Sequence, residues 1–238
     1  MIFHELEPFI HVPWVIQAAL LSSLLLVFAG VLVRRRAALA DGGVLPDEGM
    51  SIRNLIEVLV EWLADMAQDR MGPNWRRYFP FVGTMFFFIL VSNLMGLVPG
   101  LAGATSDVNT TAAWAVISWL LYTSIGIANH KHLYIVKFLG PSFFKKEIAG
   151  RHVHFRLLAP FFFILEIPLD LARMLTLAVR LLANMFADHT VVAVWLSLVP
   201  IVIPALFMGL GLVIAFLQAF IFALLTMVYI GLALDEPH

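Results

Sequence analysis

From Leu157 to Leu234 the chain is almost unbroken apolar sequence, interrupted mainly near Val199 and Pro200. No polar turn divides either half, so Leu157 to Leu196 and Leu198 to Leu234 each read as one helix. At about 1.5 Å per residue each would be about 60 Å long, twice the roughly 30 Å hydrocarbon core of a bilayer. Such a pair fits a membrane only as a strongly tilted hairpin lying partly along the bilayer plane. Tilts of about 0–40° are usual, so a partner surface is expected to hold this one. Pro168 and Pro204 fall where they would bend the two helices.

The rest of the composition agrees. Of 238 residues, 61% are hydrophobic and only 13% charged, which is more apolar surface than a soluble domain of this size can bury. The expected fold is all-α, a single polytopic membrane domain of about five membrane-inserted helices plus one amphipathic surface helix. The absence of cysteine excludes disulfides and thiolate metal sites. The opening "MIFHELEPFIHVPW" is acidic and lacks a basic leading region, so it does not read as a signal peptide.

Trp14 to Val33 is a first span, within a segment 1–36 stopped by Arg34, Arg35 and Arg36. Asp41 to Gly49, "DGGVLPDEG", is a turn-rich linker. Over 51–70, Ile52, Leu55, Ile56, Leu59, Leu63 and Met66 recur at helical spacing, and Arg53, Glu57, Glu61, Asp65 and Asp69 fill the other face. That pattern predicts an amphipathic helix lying on the membrane surface or on a partner. Segment 79–129 carries a second span, Phe79 to Pro99, and a shorter third, Ala112 to Ala128. Segment 157–234 is the hairpin.

Lysine and arginine set the expected orientation. They cluster between spans one and two, and again after span three (Lys131, Lys137, Lys145, Lys146, Arg151, Arg156). The N-terminus and the loop around Asp107 have none. Both basic segments are therefore expected on the cytoplasmic side, with the N-terminus and the Asp107 loop outside and the C-terminus cytoplasmic.

Two arginines remain, Arg173 and Arg180, both inside apolar sequence. With Glu166 at zero on a helix, Asp170, Arg173, Arg180, Asn184 and Asp188 fall at about 40°, −20°, −40°, 0° and 40°, one narrow stripe. His189 falls at about 140°, towards the other side. Insertion into lipid costs a charged residue about 2.5–3.5 kcal/mol or more, so the stripe is expected to face protein or water. Glu166, Asp170 and Arg173 are spaced to neutralise one another, or to line a polar path. Arg180 has only Ala, Val and Leu as immediate neighbours. A guanidinium does not give up its proton in a protein, so Arg180 is a poor proton carrier and a good fixed cation. Such a cation makes an approaching carboxylic acid release its proton.

These residues carry a resemblance. "LAVRLLANMFADH" resembles the signature of subunit a of F-type ATP synthases, approximately L-x-x-R-L-x-x-N-x-x-A-[GD]-[EH]. "LQAFIFALLTMVYI" is similar to the L-Q-A-F-[IV]-F segment of that family's last helix, "FILVSNLMGLVPG" to its S-N-L-x-G-L-x-P, and "TSDVNTTAAWA" to its A-D-x-N-x-T loop. The matches occur in order from Phe79 to Ile230.

The resemblance implies a bacterial inner-membrane stator subunit with two proton half-channels, pressed against a c-subunit rotor ring and held by the b-subunit peripheral stalk. It implies that Arg180 is the essential cation facing the ring carboxylates. Asn184 and Gln218 match polar positions beside it, Glu166 and Arg173 match positions towards the cytoplasmic outlet, and His189 matches a titratable position on the inlet side. Asp170 is expected with the outlet residues, and Asp188 and Asp107 as aids to His189. The chain departs from the family pattern at Gly211, where relatives carry a histidine or an acid, and at Gly96, where many carry an acid. The face of the last helix that carries Gln218 also includes Gly211, Ala215, Phe222, Leu225 and Tyr229, and its small residues are expected to let the helix pack closely on a neighbour.

No GxxxxGK[ST] segment occurs, so no nucleotide is expected on this chain, and ATP chemistry is expected on other subunits. No cofactor, metal or nucleic acid is expected. The rival reading is a self-contained transporter or antiporter, which would need its own alternating acid and usually inverted repeats; neither is present.

Overall fold

The computed structural model describes residues 13–39, 51–98, 100–130, 144–148, 151–155, 159–198 and 202–234. The linker over 41–49, Lys131, Lys137, Arg156 and the break at Val199 and Pro200 lie outside them. Six α-helices appear in the described residues: α1 (Trp14–Leu39), α2 (Ile52–Met71), α3 (Trp75–Leu97), α4 (Val108–His130), α5 (Ala159–Leu198) and α6 (Val202–Leu234). Five segments are long and apolar enough to cross a membrane, the second of them running from α2 into α3. The expected all-α membrane architecture is what forms, and the chain is a multi-pass membrane protein.

One element was not expected. Within the basic segment after α4, β1 (Phe144–Ile148) and β2 (Arg151–Phe155) pair antiparallel, with Phe144 opposite Phe155 and Ile148 opposite Arg151.

Local chemistry fixes the helix ends. The Ser51 side chain accepts a hydrogen bond from the Arg53 backbone N–H at 3.1 Å and starts α2. Gly72, at φ 65°, ends it, its N–H reaching the Gln68 carbonyl. The 3₁₀ turn Gly72–Asn74 then leads directly into α3. Asp107 starts α4, its Oδ1 accepting from Asn109 N–H at 2.7 Å. Pro204 occupies the first turn of α6, where its missing N–H costs no helical bond, so it does not interrupt that helix.

Helix α6 is the centre of the packing. It contacts α2, α3, α4 and α5, and its buried face carries Gly211, Ala215, Gln218, Ala219, Phe222, Ala223 and Thr226. Leu225 and Tyr229 are half-buried beside them. Small residues admit close backbone approach, which is how helices associate where lipid removes the hydrophobic incentive. The closest case is Gly231: a Cβ there would collide with the Arg70 carbonyl at the end of α2. Aromatic rings fill the wider gaps. Trp62 of α2 meets Phe220 at 5.1 Å and Phe216 at 6.0 Å, Tyr122 of α4 meets Tyr229 at 5.4 Å, and Trp195 of α5 stacks on Phe207 at 6.1 Å.

Helix α2 forms where the periodicity places it, and its faces depart from expectation only at its start. Arg53, Leu63, Ala67 and Met71 are buried against the bundle, while Ile52, Leu55 and Val58 point outward at 60% exposure or more. Arg53 is 1% exposed and donates from Nε to Glu57 Oε1 at 2.6 Å. Further along the helix the division follows expectation: Leu63 is buried, while Glu61, Asp65 and Asp69 are exposed.

Candidate functional site

Helix α5 runs without interruption from Ala159 to Leu198 and so carries Glu166, Asp170, Arg173, Arg180, Asn184, Asp188 and His189 on one rod. For Glu166, Asp170, Arg173, Asp188 and His189 only the helical placement is described. The rod fixes their register: the first three lie on the stripe of Arg180, one or more turns towards Ala159.

Around Arg180 the side chains are defined. Leu181 and Met185 are buried at 0% and 1% exposure, anchoring one side of α5 in the bundle. Val179 and Phe186 are exposed at 51% and 69% on the other. Thr176, Ala183 and Ala187 are also exposed there. Arg180 and Asn184 are half-buried, at the boundary between these sides. Among the described residues Arg180 has no hydrogen-bond or ion-pair partner. A cation at the rim of a packed face, next to small side chains, can be approached by a group from outside the chain.

One cross-helix bond completes the centre. Asn184 Nδ2 donates to Gln218 Oε1 at 2.9 Å, joining α5 to α6 one turn from Arg180. Gln218 is 2% exposed, and its Nε2 faces no acceptor among the described residues. Of the residues expected to act together, the structure thus brings Arg180, Asn184 and Gln218 into one locality. Asp107 has one carboxylate oxygen committed to starting α4. Gly211 is buried on α6 and offers no side chain. Among the described residues no cluster of three or more His, Cys, Asp or Glu is placed to hold a metal.

A second polar group lies in α3, in a stretch quoted above for its resemblance but given no role. Asn93 is wholly buried. Its Nδ2 donates to the Ala215 carbonyl of α6 at 3.2 Å, and its Oδ1 accepts from Thr105 Oγ1 at 2.7 Å. Next to it, Ser92 Oγ donates to Ser22 Oγ of α1 at 3.0 Å, and Ser22 donates to the Ala18 carbonyl at 2.9 Å. The loop after α3 is pressed so tightly on this helix that a Cβ on Gly103 would collide with the Ser92 carbonyl. A lone Asn inside an apolar span is the available sequence signal, because a buried amide demands partners.

The family model described as "ATP synthase A chain" matches residues 15–231. That match covers nearly the whole chain, including every element of the site. The chain belongs to the ATP synthase A chain family. Among its curated relatives, "ATP synthase subunit a" of Bdellovibrio bacteriovorus is 38% identical over 88% of this chain and 87% of its own length. "ATP synthase subunit a 1" of Syntrophotalea carbinolica is 37% identical over 92% and 85%. "ATP synthase subunit a" of Trichlorobacter lovleyi is 37% identical over 79% and 76%. The resemblance carried by the arginine and glutamine motifs is thereby the family membership of the chain, which places it among proton-translocating subunits of the ATP synthase membrane sector.

Proposed function

We propose that this chain is the stator that hands protons to and from the carboxylates of a rotating c-subunit ring, through two half-channels that do not meet. The observation that carries the reading is Arg180, at the exposed rim of α5 without a described partner and beside the Asn184–Gln218 bond. A permanent cation there holds an arriving carboxylate in its ionised form, so a protonated ring carboxylate gives up its proton as it reaches Arg180. The same charge repels a bare proton and keeps the two half-channels apart. The released proton leaves past Arg173, Asp170 and Glu166 on the same stripe. The next carboxylate is protonated from the outer side past His189, with Asp188 and Asp107 nearby in the inlet, and then turns into lipid as a neutral acid.

Asn184 and Gln218 hold the polar ground next to the cation while the ring passes. A potential of 100 mV supplies about 2.3 kcal/mol per charge, so the ring must sum several such steps for each ATP. ATP chemistry belongs to other subunits, and the b-subunit stalk keeps this chain from turning with the ring. The chain sits in the bacterial inner membrane with its N-terminus outside.

The test is Arg180→Ala in complexes reconstituted into vesicles, read by ATP-driven acidification. Loss of coupled pumping is expected. A normal pumping rate with assembled complexes would remove the fixed cation from the mechanism.

A further inference from the structure

Asn93 makes directional contacts on a seam otherwise built of apolar side chains. Helices packed through Leu, Phe and Ala can slide along one another at little cost in lipid, because lipid tails are as apolar as the side chains they replace. A bond from a side chain to one particular backbone carbonyl does not slide. On the α3–α6 seam, the Asn93 bond to the Ala215 carbonyl is such a restraint. The other polar contact described across it, Thr226 Oγ1 to the Met85 sulfur at 4.0 Å, is long and soft.

Thr105 orients the amide. By donating to Oδ1 at 2.7 Å it leaves Nδ2 as the end that faces α6. The loop bearing Thr105 is itself seated on α3 through Gly103. On α6, Ala215 precedes Gln218 by three residues, roughly one turn and about 4.5 Å along the axis. Hydrogen bonds of this kind are made over about 2.7–3.2 Å. The 2.9 Å bond between Gln218 and Asn184 therefore survives only a sub-ångström slide of α6.

We propose that Asn93, oriented by Thr105, is a positioning residue: it sets the height of α6 through the Ala215 carbonyl, and with it the place where Gln218 meets Asn184 beside Arg180. The proposal rests on Arg180 being the point of proton exchange for its functional consequence, but not for its geometry.

The chain has no cysteine, so introduced pairs report cleanly. In assembled complexes, Asn184→Cys is combined in turn with Ile214→Cys, Gln218→Cys and Phe222→Cys, and disulfide yields are compared. With Asn93 intact, the 218 pair dominates. With Asn93→Leu, its preference over the pairs one turn away falls about tenfold, the change that corresponds to one lost buried hydrogen bond. In the cysteine-free chain, pumping falls with Asn93→Leu and with Thr105→Val, and Thr105→Ser restores it. Should Asn93→Leu fail to assemble, the Thr105→Val and Thr105→Ser pair decides.

An unchanged preference for position 218 in assembled Asn93→Leu complexes overturns the proposal, as does normal pumping by Thr105→Val. If the disulfide pattern shifts while Arg180→Ala still pumps normally, the stator reading falls and the height restraint stands.

Discussion

The Asn184–Gln218 bond can be tested as a pair, because its two ends are buried unequally. Gln218 is 2% exposed and Asn184 half-buried. Asn184→Leu leaves the whole Gln218 amide unpaired inside the bundle, and an unmade bond at a buried polar group costs about 1–3 kcal/mol. Gln218→Leu costs less. It removes the bond but also removes Nε2, which already faces no described acceptor, and it leaves only a half-buried amide on α5. Replacing both ends removes both polar groups, so the double variant should return to near the stability of the parent.

Function should not follow stability. If the amides serve proton exchange beside Arg180, both single variants pump at about a tenth of the parent rate or less, and the double variant stays there; a tenfold change is about 1.4 kcal/mol of barrier. The assays are thermal dissociation of the purified complex and ATP-driven dye quenching in vesicles. A double variant that regains both stability and pumping would show that the two amides only hold α5 to α6. Equal destabilisation by the two single variants would refute the unequal burial.

Other outcomes follow from single contacts. His189→Ala is expected to slow proton uptake from the outer side with assembly intact, and an unchanged pH dependence of pumping would count against an inlet role. Gly231→Val forces a side chain into the Arg70 carbonyl at the α2–α6 contact, and overpacking of that sort costs about 1–3 kcal/mol; the yield of assembled complex should drop accordingly. Arg53→Leu is expected to pack without the Glu57 bond yet lower the complex's thermal stability, by leaving an acid on α2 without its arginine; Glu57→Gln in the same chain should recover part of the loss.

The long helices were legible because they need only composition and length: the run from Leu157 to Leu234 contains no chemistry for a turn except near Val199. The close-packing face of α6 was legible too, since Gly211, Ala215 and Gln218 recur at helical spacing and a small residue has few other uses in lipid. The inward face of α2 was legible only in its second half, where Leu63 turns in and Glu61, Asp65 and Asp69 stay out. At its start Ile52 and Leu55 face outward and Arg53 inward, because an acid one turn away partners the arginine. The Asn93 contact was hidden for another reason. Its partner on α6 is a backbone carbonyl, which every residue has, so nothing in the letters at Ala215 announces it. The β1–β2 pair has five-residue strands rich in charge, and its lysines were read only as a signal of orientation.

The bonds of Asn93 also differ in when they can be made. Thr105 emerges only twelve residues after Asn93, so that bond can close as soon as α3 and its loop exist. The Ala215 carbonyl comes 122 residues later. Until the last helix enters the bilayer, an amide N–H in the middle of the bundle has no acceptor there, and a polar group in hydrocarbon is costly to leave so. The final helix thus supplies the acceptor that this buried amide lacks in any shorter chain.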